Sequence, residues 1–340
     1  MLNRVELAKT RGLYPIFGEN MDQTSTITHL VAEEYAGQRL DKALAELFPD
    51  YSRSCLQNWL KRGYISIDGR QQPPKHKLKG GEQLVVQIPE VPESPEVSAE
   101  DIAVDVKYAD EDIVVINKPA GMVVHPAAGN KAGTLQNALL HHFPEVSGVP
   151  RGGLVHRLDK DTSGLLVVAR SLRAHKSLVE QLQTRSMGRE YDAVVQGTLI
   201  SGGTVDAAIG RHHVDRKRMA VRQGGKLAVT HYRIKEKFRQ HTYLQVNLET
   251  GRTHQIRVHM AHIKKPIVGD PVYAGRMKVP ADCGEELRTC LQHFNRQALH
   301  AGRLGLIHPA SGEEMQWNTP LPDDMQRLLS LLREDSRESK

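Results

Sequence analysis

One stretch of the 340-residue chain gathers groups that do chemistry: His156-Arg157-Leu158-Asp159-Lys160-Asp161-Thr162-Ser163-Gly164. It runs straight into the apolar Leu165-Leu166-Val167-Val168-Ala169. Carboxylates, hydroxyls and an imidazole are the groups of nucleophilic and acid–base catalysis. A buried strand has no use for so much charge at its mouth, whereas polar groups mounted on a rigid apolar element are how sites are built. A second string, Gly251-Arg252-Thr253-His254-Gln255-Ile256-Arg257-Val258-His259, offers guanidiniums and imidazoles. Its histidines do not read as a metal site. His254, His259 and His262 are spaced by five and three, not by the four that puts two ligands on one helical face. Neither Gly-x-x-x-x-Gly-Lys nor Gly-x-Gly-x-x-Gly occurs, so no phosphate loop or dinucleotide fingerprint is present.

Those strings need elements to hold them. Ile113-Val114-Val115-Ile116 reads as a buried strand ending at Asn117-Lys118-Pro119, and residues 165–169 as another. Leu172, His175, Leu178, Val179 and Leu182 fall on one helical stripe, while residues 191–195, 230–234 and 243–248 read as strands. Ile256, Met260 and Ile263 share a helix face, with Thr253 placed to cap that helix. Strands that outnumber helices, with no strict βαβ alternation, predict an α+β domain and not a doubly wound parallel sheet.

A smaller module precedes it. Residues 1–33 carry no steady periodicity and read as an extension, its first twenty residues poorly ordered and Met21 an alternative start. From Gly37, Leu40, Ala43, Leu44 and Leu47 recur at helical spacing. Ser52 is placed to cap a second helix carrying Leu56, Trp59 and Leu60, stopped by Gly63. Residues 64–67 and 84–88 alternate as strands, the first ending in the hairpin signal Asp68-Gly69. Pro89, Pro92 and Pro95, interleaved with acids, predict an extended linker. The predicted organisation is therefore an extension (1–33), a small α+β module (34–88), a linker (89–100), a main domain (101–333) and a charged, frayed tail (334–340).

Charge points the same way as the modules. Lysine and arginine number 46 against 40 acids, and the net +6 is a modest excess that suits an anionic partner. Between Arg39 and Ile88 nine basic residues face five acidic ones, so most of the excess lies in the small module. Cys55, Cys283 and Cys290 form no Cys-x-x-Cys pair, which argues against a disulfide framework or structural zinc and fits a reducing cytoplasm. No apolar run is long enough to span a membrane, and residues 13–17 are too few for a signal peptide.

The string His-Arg-Leu-Asp-x-x-Thr-Ser-Gly at 156–164 resembles the catalytic motif of the RluA/RluD-type pseudouridine synthases. Arg189-Glu190-Tyr191 and Gly251–His259 resemble further motifs of that family, in its order and at compatible spacing. Asn117-Lys118-Pro119, with Gly121 and His125-Pro126, resembles the motif ahead of the catalytic one. In the small module, Gly-x-Arg-Leu-Asp-x-x-Leu, Ser-Arg-Ser and Gly-Tyr-Ile-Ser-Ile-Asp-Gly look like an S4 RNA-binding domain. The likeness spans residues 37–320 and is nearest to the RluD branch, which acts on large-subunit ribosomal RNA.

The resemblance implies a pseudouridine synthase fold, with a mixed, largely antiparallel sheet and a central cleft, and isomerisation of uridine in RNA to pseudouridine. It casts Asp159 as the essential carboxylate, Arg257 as the cation that keeps it ionised, and Tyr191 as the residue that packs on the uracil and serves proton transfer. Arg157 would fill the gap left by a base swung out of its stack. Whether Asp159 attacks the ribose or abstracts a proton stays open at this level. Arg39, Arg53, Lys61, Arg62, Lys118, Arg216, Lys217, Arg218 and Arg252 are the expected RNA contacts, with residues 211–226 a phosphate-contacting insertion. Asp161 reads as a solvated neighbour and His156 as a loop-shaping residue. The implied partner is ribosomal RNA of the large subunit or its assembly precursor, in the cytoplasm, with no metal, cofactor or membrane; no oligomeric state is assigned. A non-catalytic RNA-binding factor and the same chemistry on transfer RNA are the competing readings.

Overall fold

The computed structural model describes residues 26–48, 51, 53–88, 97–126, 129–215, 218–275, 279–280 and 282–338. It divides into two compact units, Met1–Leu47 with Arg53–Pro92 and Phe48–Ser52 with Glu93–Lys340.

In the first unit, β1 (Thr26–Leu30), β2 (Ile65–Ile67) and β3 (Gln83–Gln87) form an antiparallel sheet in the order β1-β3-β2. Helices α1 (Leu40–Leu47) and α2 (Arg53–Arg62) bury Leu40, Ala43, Leu44, Leu56 and Leu60, and the strands bury Ile65, Leu84 and Val86. Strand β1 corrects the boundary expected at residue 34. Thr26 pairs with Gln87 and Leu30 with Gln83, within the stretch read as an extension. All five of its residues are exposed, so no buried face marks it in the sequence; backbone pairing alone makes it a strand. The first twenty residues, Ser52 and linker residues 89–96 lie outside the described residues, as does the side chain of Arg53.

The second unit is built on one nine-stranded sheet. Its strands are β4 (Asp105–Ala109), β5 (Ile113–Lys118), β6 (Ser163–Ala169), β7 (Gly188–Gln196) and β8 (Gly203–Asp206), then β11 (Val229–Lys237), β12 (His241–Leu248), β13 (Leu299–Ile307) and β14 (Glu314–Asn318). Between β8 and β11, β9 (Ile209–Arg211) and β10 (Met219–Val221) pair as a separate ribbon. The order is β4-β5-β6-β13-β7-β12-β11-β8, with β14 on β13. Among the described residues only β6 and β13 run parallel, so the sheet is mixed and largely antiparallel as expected.

Burial explains the apolar runs. Val114, Ile116, Leu166 and Val168 pack with Leu135 and Leu139 of α3 (Leu135–His142). Their neighbours Ile113, Val115, Leu165 and Val167 pack with Ala174 and Leu178 of α4 (Leu172–Thr184) on the other face. Strands covered on both faces read as continuous apolar segments, not as alternating ones. Helices α5 (Gln255–His262), α6 (Glu285–His293) and α7 (Asp323–Glu338) contribute Ile256, Met260, Leu287, Leu291, Met325 and Leu328 to a third cluster with Val194, Leu244 and Val246.

Two further boundaries move. The tail expected to fray from residue 334 continues α7 to Glu338, because buried Asp335 accepts from Arg239 Nη1 at 3.0 Å. The linker expected to reach residue 100 stops sooner. Ser98 O accepts from Asn137 Nδ2 at 2.7 Å, and the Glu100 N–H donates to Asn137 O at 3.0 Å.

Candidate active site

Residues 156–162 form a loop between a short 3-10 turn (Pro150–Gly153) and β6, whose first two residues complete the string, and the loop is fastened on both sides of Asp159. Upstream, His156 Nε2 accepts the N–H of Val167 at 3.0 Å, which requires an unprotonated nitrogen, and burial pushes its pKa down to about 3. Downstream, Lys160 O accepts from the Gly121 N–H at 2.9 Å and from Lys118 Nζ at 3.0 Å. The Thr162 N–H closes a turn onto Asp159 O, and Thr162 Oγ1 accepts from Gln297. Ser163 Oγ bonds His300 Nδ1 across the parallel β6–β13 pair. Gly164 is required there: at φ +116 a Cβ would sit 2.3 Å from Ala301 O. The motif thus spends most of its polar groups on holding one carboxylate still.

Helix α5 brings the opposite wall. His254, at φ 57, is its N-cap and makes no side-chain cap bond, so the expected Thr253 cap is not formed. Gln255 does the fastening instead. Its Oε1 accepts from the Arg252 N–H and Thr250 Oγ1, and its Nε2 donates to Val229 O and Thr230 Oγ1. That sets Arg257 Nη1 at 2.9 Å from Asp159 Oδ2. The bidentate partner of Arg257 is a different carboxylate, Asp270, at 2.7 and 2.9 Å. Asp270 Oδ1 also accepts the N–H groups of Val272 and Tyr273. Burial disfavours the charge of Arg257, but Asp270 and Asp159 outweigh it and hold its pKa above the ordinary arginine value. Asp159 therefore faces a guanidinium that is oriented from behind.

Tyr273 joins the same assembly. Its ring lies beneath Arg257 at 5.1 Å and beneath Arg218 at 5.4 Å, and its hydroxyl accepts the Met219 N–H and bonds His254 Nδ1. His254 Nε2 stands 3.9 Å from Asp159 Oδ1; burial lowers its pKa and Asp159 draws it up. Tyr191, on β7, is 6% exposed, and its hydroxyl has no hydrogen-bond partner among the described residues. Burial raises the pKa of that hydroxyl, with Arg189 opposing and Asp159 adding. Asp159, Tyr191, Arg257, Arg157 and Arg252 all line one cleft of about 1040 Å³.

A carboxylate, a fixed cation and a tyrosine thus line one cleft. A family model described as RNA pseudouridylate synthase matches residues 112–262. The Pseudomonas aeruginosa protein named ribosomal large subunit pseudouridine synthase D is 55% identical over 302 residues, 89% of this chain and 94% of that one. Its namesake from Escherichia coli K12 is 53% identical over 321 residues, 94% of this chain and 98% of that one. The chain belongs to the RNA pseudouridine synthase family. A solved family structure, human RNA pseudouridylate synthase domain containing 4, is 26% identical, with TM-score 0.53 over 67% of this chain and 93% of that one.

As a pseudouridine synthase the chain is an isomerase acting on RNA, and its expected RNA contacts divide by environment. Arg157 is exposed at the cleft, with Nη1 3.4 Å from His125 Nε2. Arg252 is exposed, its Nε on Leu227 O, and lines both the cleft and a smaller basic pocket with Arg211, Arg222 and Lys226. Lys61 and Arg62 are exposed on α2. Arg39 is committed to Asp41 by two bonds at 3.0 and 3.1 Å. Arg218 rests on Tyr273, and Arg216 and Lys217 lie outside the described residues. Lys118 is a correction: it is 0% exposed and donates to Pro119 O, Met122 O and Lys160 O, so it cannot reach a phosphate.

The histidines weighed as metal ligands do not converge, since His259 bonds Thr230 and Ala207 O. Among the described residues the group of acid and histidine side chains close enough to hold a metal is exposed Asp101, His141 and His142, none of which lines the cleft. Sequence reasoning missed Asp270, Tyr273 and Arg189. The first two sit beyond the matched motifs, and nothing local distinguishes them from ordinary loop residues. Arg189 stood inside a matched motif, and its proximity to Tyr191 was the available signal.

Proposed function

We propose that the chain converts specific uridines of large-subunit ribosomal RNA to pseudouridine, with Asp159 as its essential carboxylate. The observation that carries this reading is the 2.9 Å pair of Asp159 with an Arg257 already fixed by Asp270, in a cleft shared with Tyr191. The names of relatives at 53–55% identity support the choice of RNA.

The isomerisation breaks the bond from uracil nitrogen to ribose, turns the base and joins a ring carbon to the same sugar carbon. It needs an ionised carboxylate at the ribose, a partner for the loosened base and a route for one proton. RNA phosphates and burial would both push a carboxyl toward its neutral form, and the adjacent guanidinium opposes them. Asp159 acts on the ribose as nucleophile or base. The Tyr191 ring packs on the uracil, and its unpartnered hydroxyl serves proton transfer. The target must leave its stack, at roughly a few kcal/mol, and exposed Arg157 stacks in its place. The first unit acts as an S4-type RNA-binding module through Lys61, Arg62 and Arg53. Residues 211–226 and Arg252 add phosphate contacts that set affinity and register. The setting is the cytoplasm, where the RNA is assembled into ribosomes.

The test is incubation with ribosomal RNA, or particles, from cells lacking the gene, followed by pseudouridine mapping. Asp159→Asn is expected to slow product formation on the order of 10⁴-fold, with RNA affinity changed less than tenfold. Product formed at the parent rate would remove Asp159 from the mechanism.

A further inference from the structure

Arg189 is 9% exposed, yet among the described residues no hydrogen bond or ion pair reaches its guanidinium, and its Nε is fully enclosed. It lies two residues before Tyr191 on β7, so both side chains leave the same face of the strand. Both line the cleft. Nearby acids are engaged elsewhere. Glu190 points to the opposite face and accepts from Gln245, while Glu249 is taken by Arg185 and His231. Gly251 presses its backbone on the guanidinium, because a Cβ there would stand 2.8 Å from Nη1. The charge is therefore fixed in place and left uncompensated toward the cleft.

A withdrawn cation with no counter-charge is unfavourable, and the imbalance deepens when a ligand expels the remaining water. An incoming anion removes it. The flat fork of guanidinium donors matches phosphate oxygens. Within a nucleotide, base and phosphate are separated by the ribose alone, and Tyr191 and Arg189 stand one strand repeat, about 7 Å, apart. We propose that Arg189 binds a phosphodiester flanking the target uridine and so seats the strand beside Tyr191. This rests on the reading of the cleft as the uridine site.

The test uses the full chain and a ribosomal RNA stem-loop on which it forms pseudouridine, with affinity measured against salt in an Asp159→Asn background. Adding Arg189→Gln is expected to weaken binding about tenfold and to make the slope of log affinity against log salt shallower by about 0.7, one phosphate contact on a single strand. Arg189→Lys is expected to restore the slope. A single neutral methylphosphonate linkage beside the target uridine should weaken the Arg189 protein and leave the Arg189→Gln protein unaffected. If Arg189→Gln does not fold, Gly251→Ala, which displaces the guanidinium without removing charge, should lose the same methylphosphonate sensitivity. An unchanged slope, or equal sensitivity to the neutral linkage with and without Arg189, overturns the proposal. An unchanged slope with slower single-turnover conversion would assign Arg189 to the uracil instead. Failure of the otherwise unmutated protein to make pseudouridine in this RNA would sink the reading of the cleft itself.

Discussion

Lys118 and Arg189 are both cations withdrawn from solvent in the same unit, and the fold treats them in opposite ways. Lys118 ends β5 with its ammonium on three carbonyl oxygens at 2.6 to 3.0 Å. Burial pushes its pKa down to about 7, while Asp161 and Asp159 draw it up. Three carbonyls suit the three N–H groups of an ammonium, since a neutral amine has only two to give. Arg189 has no such partners among the described residues, and it faces the cleft. A saturated buried cation is a fastening: it ties the loop after β5 to the loop of Asp159. An unsaturated one marks where a ligand is expected. His241 shows a third outcome. It is 1% exposed with neither ring nitrogen partnered among the described residues, and burial takes its pKa to about 4, so it escapes the problem by losing its proton. Arginine has no such exit.

The comparison breaks most visibly at Lys118. Lys118→Met keeps the length of the side chain but leaves three carbonyls without a donor. It is expected to destabilise the protein by about 3–5 kcal/mol in denaturant titration. A loss below about 1 kcal/mol would show that the fastening is dispensable. Asp270→Asn comes next. It strips the bidentate carboxylate from Arg257 and is expected to lower stability by about 2–4 kcal/mol and the conversion rate at least tenfold. Unchanged conversion would mean that Asp159 alone holds Arg257. The pH dependence is smaller. His241 binds a proton in the unfolded chain below about pH 6.5 and in the folded chain only below about 4, so its contribution is full above 6.5 and fades as pH falls toward 4. His241→Phe should flatten that acid limb by about 1.5 kcal/mol between pH 6.5 and 5. Arg189→Met has the least effect on folding. Removing an unpaired charge is expected to leave stability within about 1 kcal/mol of the parent or raise it, the opposite sign to Lys118→Met. A loss of 3 kcal/mol there would mean that Arg189 is a structural cation after all.

The strands and the site differ in how they announce themselves. β5 and β6 stood out because helices cover both faces, which leaves an apolar run with no polar interruption. β1 did not, because its side chains are all exposed and only backbone pairing with β3 defines it. The continuation of α7 hid behind a charged composition until Arg239, far back in the chain, neutralised Asp335. Lys118 misled for the converse reason. A lysine in a matched motif reads as a phosphate ligand, and nothing local says that three carbonyls will enclose it.

Residue order alone determined the loop bearing Asp159, the strand it is mounted on and the second string that carries Arg257, because each is encoded in contiguous residues. Tertiary structure decided which groups meet across a separation of 98 positions, and it recruited Asp270 and Tyr273 to steady the guanidinium. It also decided which cations are spent and which are kept. Whether a charge has a partner depends on atoms from distant strands arriving within hydrogen-bond reach, and that is a property of the folded chain.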